Sequence, residues 1–132
     1  MKNTTLAIFI LIGGSMLSIA GLVLYILGLP MITNLLKEST PTPELVQSVE
    51  IAWVLASIAL MLCGIWGMFI AISVRKNLRY LQKQALSLGT GVVVFGIYAF
   101  MYSFPNWKFL GFIFIGMFIL VPGLLLKKEY IQ

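Results

Sequence analysis

Residues 51–74 read IAWVLASIALMLCGIWGMFIAISV, twenty-four consecutive side chains without a formal charge. As a helix rising about 1.5 Å per residue, that run is about 36 Å long and exceeds the roughly 30 Å hydrocarbon layer of a bilayer. Polar and apolar residues do not alternate in it, so it fits neither a half-buried strand nor a membrane barrel. A backbone in lipid must satisfy its amides within its own segment, which leaves the α-helix.

Three further runs of the same kind flank it, and turn-forming residues trim the set to spans at about 5–29, 49–74, 85–104 and 109–126. Little chain remains between them, so residues 1–132 are expected to form a single transmembrane domain. The composition agrees: 61% of residues are hydrophobic and 10% charged, with a mean hydropathy of +1.04. Ordinary globular domains are roughly 25% charged. A soluble enzyme, a disordered tail and a nucleic-acid module are all excluded on that ground. The expected architecture is all-α, an integral membrane four-helix bundle running up-down-up-down. A secretory signal competes for the first span, because Lys2 precedes an apolar run and Ser18-Ile19-Ala20 resembles a cleavage site. The apolar residues continue to Leu29, longer than such signals need, which favours a retained helix.

The distribution of cations sets the expected orientation. Lys2, the run Arg75, Lys76, Arg79 and Lys83, and the pair Lys127 and Lys128 fall on one side of the four spans. Lys37 and Lys108 fall on the other, with Glu38, Glu44 and Glu50. The excess of Lys and Arg marks the cytoplasmic side, so both termini are expected inside, as in a bacterial inner membrane. Arg75, Lys76, Arg79 and Lys83 also form a candidate contact for anionic lipid, although topology alone accounts for them. Residues 75–84 are expected to extend the second helix, with Leu78 and Leu81 toward lipid. In the outer loop, Thr42-Pro43-Glu44 has the pattern of a helix start: a capping hydroxyl, a proline at the first position and an acid at the positive end of the dipole. Pro30 is expected to end the first helix, and Ser39-Thr40-Pro41 to end any short interfacial helix over 31–36. Pro122 and Gly123 are expected to kink or loosen the end of the fourth helix.

Helices in lipid meet where small residues let their backbones approach. Ala52, Ala56, Ala59, Cys63, Gly67 and Ala71 form such a seam on the second helix, and the expected bundle is centred there. The first helix offers Gly14, Ser18 and Gly21, and the third Ala85, Gly89, Gly96, Ala99 and Ser103. The seam serves packing within one chain or against a second one.

Chemistry-bearing residues are few. The chain has no His and no Asp, one Cys (Cys63) and four Glu. Metal sites need several converging His, Cys or carboxylate ligands, and thiol redox cycles need a second cysteine. No metal, no cofactor and no enzymatic activity are therefore expected. Glu50 is the carboxylate closest to a span, and with Trp53 and Ser57 at helical spacing it marks a candidate polar pocket. The expected role is that of a non-enzymatic accessory, assembly or interaction subunit acting through helix–helix contacts. Its expected partners are the lipid bilayer and another membrane protein or further copies of itself, with no nucleic acid. The alternative is an oligomeric small transporter or channel with a pathway near Glu50.

Overall fold

A computed structural model describes residues 3–74, 80–102 and 107–126. Apart from the turn at 39–42 and Leu126 the described residues are helical, with no strand among them, and four helical stretches are long and apolar enough to cross a membrane. In chain order they are α1 (Asn3–Val23), a wide π-turn (Leu24–Gly28), α2 (Leu29–Glu38), α3 (Pro43–Val74), α4 (Tyr80–Tyr102), a single 3-10 turn (Trp107–Phe109) and α5 (Leu110–Leu125).

The first helix does not stop at Leu29. It continues through the π-turn and α2 as one rod from Asn3 to Glu38, which corrects the expectation that Pro30 ends it. A proline ring collides with the carbonyl four residues back, here Ile26, and lacks the N–H that would bond to it. Ile26 lies within the π-turn, where the widened backbone accommodates the proline without breaking the rod. The rod ends at Ser39, whose N–H and hydroxyl both donate to the Leu36 carbonyl, at 3.2 and 2.9 Å. Thr40 then takes a left-handed conformation with φ 51°. As expected, α3 starts at Pro43 behind Thr42: the Leu45 N–H lies 3.4 Å from the Thr42 hydroxyl, and the Val46 N–H donates to the Thr42 carbonyl at 3.2 Å.

These starts and stops make the helices unequal. The rod from Asn3 to Glu38 has 36 residues and α3 has 32, or about 54 and 48 Å of helix against a roughly 30 Å apolar layer. The fourth candidate span, Trp107–Leu125, has 19, about 28 Å. The hairpin of the first two long helices therefore projects well past the other two, and α2, at its tip, buries none of its residues.

Glycines set the packing. A Cβ at Gly14 would stand 2.8 Å from the Gly64 carbonyl oxygen and from the Met68 nitrogen, and one at Gly21 would stand 2.8 Å from the Ser57 oxygen and the Met61 nitrogen. A Cβ at Gly64 would run into the backbone of Ser18 and Gly14. Gly14, Ser18 and Gly21 thus form the contact face of α1, as their spacing predicts, and the Ser18 hydroxyl donates to the Met61 carbonyl at 3.3 Å. The α4–α5 pair is built the same way, with Gly89 on Leu120, Gly96 on Ile113, Gly116 on Val93 and Gly123 on Ala85. Gly13 against Ile119 joins α1 to α5. The buried core runs along these contacts through Leu6, Ile10, Leu17, Ile70, Ala85 and Ile119.

α1 makes extensive contacts with both α3 and α5, whereas α3 and α4 touch only lightly. This corrects the expectation of a bundle centred on the second long helix: α1 and α5 lie in the middle, with α3 and α4 flanking them. Residues 80–84 also belong to α4 rather than extending α3, and Leu81 is buried, not turned outward. The Gln82 side chain amide explains both, because it donates to the Gly123 and Leu126 carbonyls at 3.2 and 3.1 Å. Those carbonyls lie past Pro122, where α5 is running out of backbone donors. α5 continues through Pro122 to Leu125.

Candidate functional site

The face of α3 that carries Glu50, Trp53 and Ser57 turns toward the first rod, and each side chain is engaged there or on its own helix. The Thr33 hydroxyl lies 2.9 Å from Glu50 Oε1 and 3.0 Å from the Leu29 carbonyl oxygen. A hydroxyl has one hydrogen, so these two acceptors share it, and Glu50 is tied to the section of rod beyond the π-turn. Trp53 Nε1 donates to the Leu24 carbonyl at 2.8 Å. Leu24 opens the π-turn, where the switch from α to π spacing leaves a carbonyl out of the regular ladder. The indole also fills the space beside Gly28, where a Cβ would stand 2.9 Å from Trp53 Cζ2. Ser57 is buried at 1% exposure, its hydroxyl donating back to the Trp53 carbonyl at 2.8 Å. The three residues share one face, where Trp53 ties α3 to the widened turn and Glu50 ties it to α2 just beyond, while the Ser57 hydroxyl bonds within its own helix.

Two participants are missing from the sequence reading. Thr33 lies beyond Pro30, in the stretch expected to be a separate interfacial segment, so the sequence provides no register that pairs it with Glu50. The signal was nonetheless present: the two residues are nearly equidistant from the turn at Thr40-Pro41, as are Gly28 and Trp53, and Gly14 and Gly64. Gly64 was passed over in favour of Cys63, one position away.

The seam on α3 divides in two. Gly67 and Ala71 are buried and Cys63 is half-buried, but Ala52, Ala56 and Ala59 are exposed. Direction does not separate the two halves, because Ala52 and the buried Ile70 lie about five full turns apart and share one side of the helix; position along the stripe does. At its inner end it reaches the neighbouring helices: Leu88 of α4 lies 3.3 Å from the position of a Cβ on Gly67. At its outer end it leaves the α1 contact, which follows Ser57 and Gly64 instead. The correction is that Ala52, Ala56 and Ala59 face outward from this chain. Beside them, between α3 and α4, lies an open cleft of about 310 Å³ lined by Leu60, Cys63, Trp66, Leu88, Gly91 and Phe95, among others. Trp66 Nε1 reaches Gln84 Oε1 across it at 3.4 Å, and a Cβ at Gly91 would meet nothing within 4 Å. Ser87 and Thr90 are exposed on the same helix.

Among the proposed lipid contacts, Lys83 is exposed at the start of α4, while Arg75, Lys76 and Arg79 lie outside the described residues. Ser103 of the third helix and the tail pair Lys127 and Lys128 lie outside them as well. Among the described residues, no three His, Cys, Asp or Glu side chains converge. Compared with known proteins, the chain matches no family model, no curated protein and no solved structure.

Proposed function

We propose that this protein is a small multi-pass membrane protein that acts as a non-enzymatic accessory, assembly or interaction subunit through helix–helix contacts. The supporting observation is the outward face of α3 and α4. Elsewhere the outward residues are bulky, such as Ile8, Leu22 and Leu27 on the first rod and Phe114, Met117 and Leu124 on α5. This face also has bulky outward residues, Leu55, Trp66 and Phe95 among them, but it intersperses them with Ala52, Ala56 and Ala59 and with Ser87, Thr90 and Gly91. Lipid tails gain nothing from small residues, whereas helix backbones do, and hydroxyls add interhelical hydrogen bonds. A further membrane helix, from another protein or a second copy, suits that face better than lipid.

The same reading places the four long helices up-down-up-down across a bacterial inner membrane, both chain ends in the cytoplasm, with the 29–50 hairpin projecting outside. The cation bias supports that direction. Glu50 then lies on the outer side, bonded by Thr33 and not lining a path between helices.

Disulfide trapping tests the proposal. Ala56→Cys in a Cys63→Ala background should give a disulfide-linked dimer in membranes treated with an oxidant if the occupant is a second copy, and a photo-crosslinking side chain at position 56 should trap a partner that carries no thiol. Ile51→Cys, from a bulky outward position exposed at 69%, should not. Ala56→Trp should dissolve the association that trapping detects. Equal trapping at both positions, or none at either, contradicts the proposal. Ion or solute flux in reconstituted vesicles that Glu50→Gln abolishes would establish the transporter reading instead.

A further inference from the structure

The π-turn at Leu24–Gly28 sets which side of α2 meets α3. Gly21 of α1 faces α3, and eight α-helical steps of about 100° would leave Leu29 about 80° off that direction. A π-turn takes up one extra residue. The path then counts as about seven steps, or 700°, within roughly 20° of two full turns. Leu29, Ile32, Thr33 and Leu36 are accordingly half-buried on the α3 side, while Met31 and Leu35 stand outward at 56% and 55% exposure.

This register uses only half of the apolar surface of α2. Leu29, Leu36, Ile32, Leu35 and Met31 follow one another around roughly 160° of the helix, wide enough for two contact faces. If Leu24–Gly28 were ordinary α-helix, α2 would turn by about 100° and present Met31, Ile32 and Leu35 to α3, a second apolar set. Three groups hold the observed register against that one. Pro30 would drive its ring into the Ile26 carbonyl of a regular helix. Trp53 Nε1 bonds the Leu24 carbonyl, which a regular helix would give to the Gly28 N–H. The Thr33 hydroxyl reaches Glu50 only while Thr33 faces α3. Burial adds little, since α2 buries none of its residues, and the non-helical turn at 39–42 takes up a rotation of α2 at its other end. A side-chain hydrogen bond biases such an equilibrium about fivefold, so two of them leave the second register within reach as a minor state.

We propose that α2 is a two-register switch. As the extra residue leaves the π-turn, α2 rotates by about 100°, replaces Leu29, Thr33 and Leu36 on α3 by Met31, Ile32 and Leu35, and releases Glu50 and Trp53 Nε1 from their bonds. One register displays Met31 and Leu35; the other displays Thr33 and frees the carboxylate and the indole N–H. Whatever binds one set in preference to the other moves the equilibrium. The switch is independent of the α3–α4 face.

Thiol reactivity reads the register. Single cysteines at Leu35 and Leu36, each in a Cys63→Ala background, are treated with a water-soluble maleimide on the full chain in mild detergent. With no further change, Leu35→Cys should react faster than Leu36→Cys. Thr33→Val alone should raise the rate at Leu36→Cys by up to about fivefold. Pro30→Ala, Thr33→Val and Trp53→Phe together should reverse the order of the two rates. Deleting Ile26 from that triple variant removes the extra residue from an otherwise regular helix and should restore the original order. Far-ultraviolet circular dichroism checks that each variant is folded, and Thr33→Val decides alone if the triple variant is not. The proposal is overturned by an unchanged order in the folded triple variant, by an unchanged Leu36→Cys rate in Thr33→Val, by equal and fast reaction at both cysteines, which marks an unwound α2, or by an Ile26 deletion that does not restore the order.

Discussion

Replacing Gly64 by Ala adds one methyl at the tightest point between the two longest helices. Its Cβ would overlap the Ser18 side chain, the Ser18 nitrogen and the Gly14 carbonyl oxygen. Two of those three atoms are backbone, so no rotamer change clears the space and α1 must move away from α3. Gly14 and Gly67 would lose contact in the same movement. Overpacking of this kind costs about 1–3 kcal/mol, and the absence of a flexible neighbour puts Gly64→Ala toward the upper end. Against it stands the gain of about 1 kcal/mol from replacing glycine by alanine inside a helix. The net expectation is a loss of about 1–2 kcal/mol. Gly91→Ala isolates the second effect, because a Cβ there meets nothing within 4 Å, and it should stabilise the monomer by up to about 1 kcal/mol. The two substitutions are chemically identical and differ in sign, separated by about 2–3 kcal/mol. Reversible unfolding of the detergent-solubilised monomer in mixed micelles, followed by far-ultraviolet circular dichroism, measures the difference. Gly64→Ala that matches or exceeds Gly91→Ala in stability refutes the proposed packing of α1 on α3.

Further predictions concern hydrogen bonds and backbone strain. Trp53→Phe keeps an aromatic ring beside Gly28 but removes the donor to the Leu24 carbonyl, and should cost about 1–3 kcal/mol in the same unfolding assay; an unchanged midpoint would show that the π-turn does not depend on this bond. Thr40→Gly removes the strain of a β-branched residue in the left-handed region and should stabilise the chain by about 1 kcal/mol, whereas a loss of stability would contradict the turn described. Gln82→Leu leaves the Gly123 and Leu126 carbonyls without their side-chain donor. Hydrogen exchange should then rise in the last turn of α5 while the α1–α3 contact stays protected, and uniform protection at both places would argue against the tie.

The number of long helices was legible in the sequence because a charge-free run of span length has few alternatives in water or lipid. The α1 face of Gly14, Ser18 and Gly21 was legible too, since small residues at helical spacing have one common use in apolar helices. The stop at Leu29 was misread because a proline is usually a boundary, and the compensating π-turn has no pattern in Leu24–Gly28 that announces it. That error carried over to the site. With the first helix ended at Pro30 and residues 31–36 a separate interfacial segment, Thr33 had no helical register against Glu50. The seam failed because spacing gives a side of the helix but not what packs on it: Gly67 meets Leu88 of α4, whereas Ala52, Ala56 and Ala59, further along the same side, are exposed. The short link at 105–108 made the pairing of the last two helices legible, and they pack closely, but which helices meet across the bundle was not, because all four are apolar around most of their circumference and only the register of glycines distinguishes the faces.

The central claim is that the chain crosses a membrane four times, with the 29–50 hairpin on one side and the start of α4 on the other. Single cysteines at Ser39 and Lys83, both exposed, in a Cys63→Ala background and treated with a membrane-impermeant thiol reagent on intact cells, test it most directly. Ser39→Cys should react at once, and Lys83→Cys only after the membrane is permeabilised. Reaction of both in intact cells, or of Lys83→Cys alone, would contradict the account.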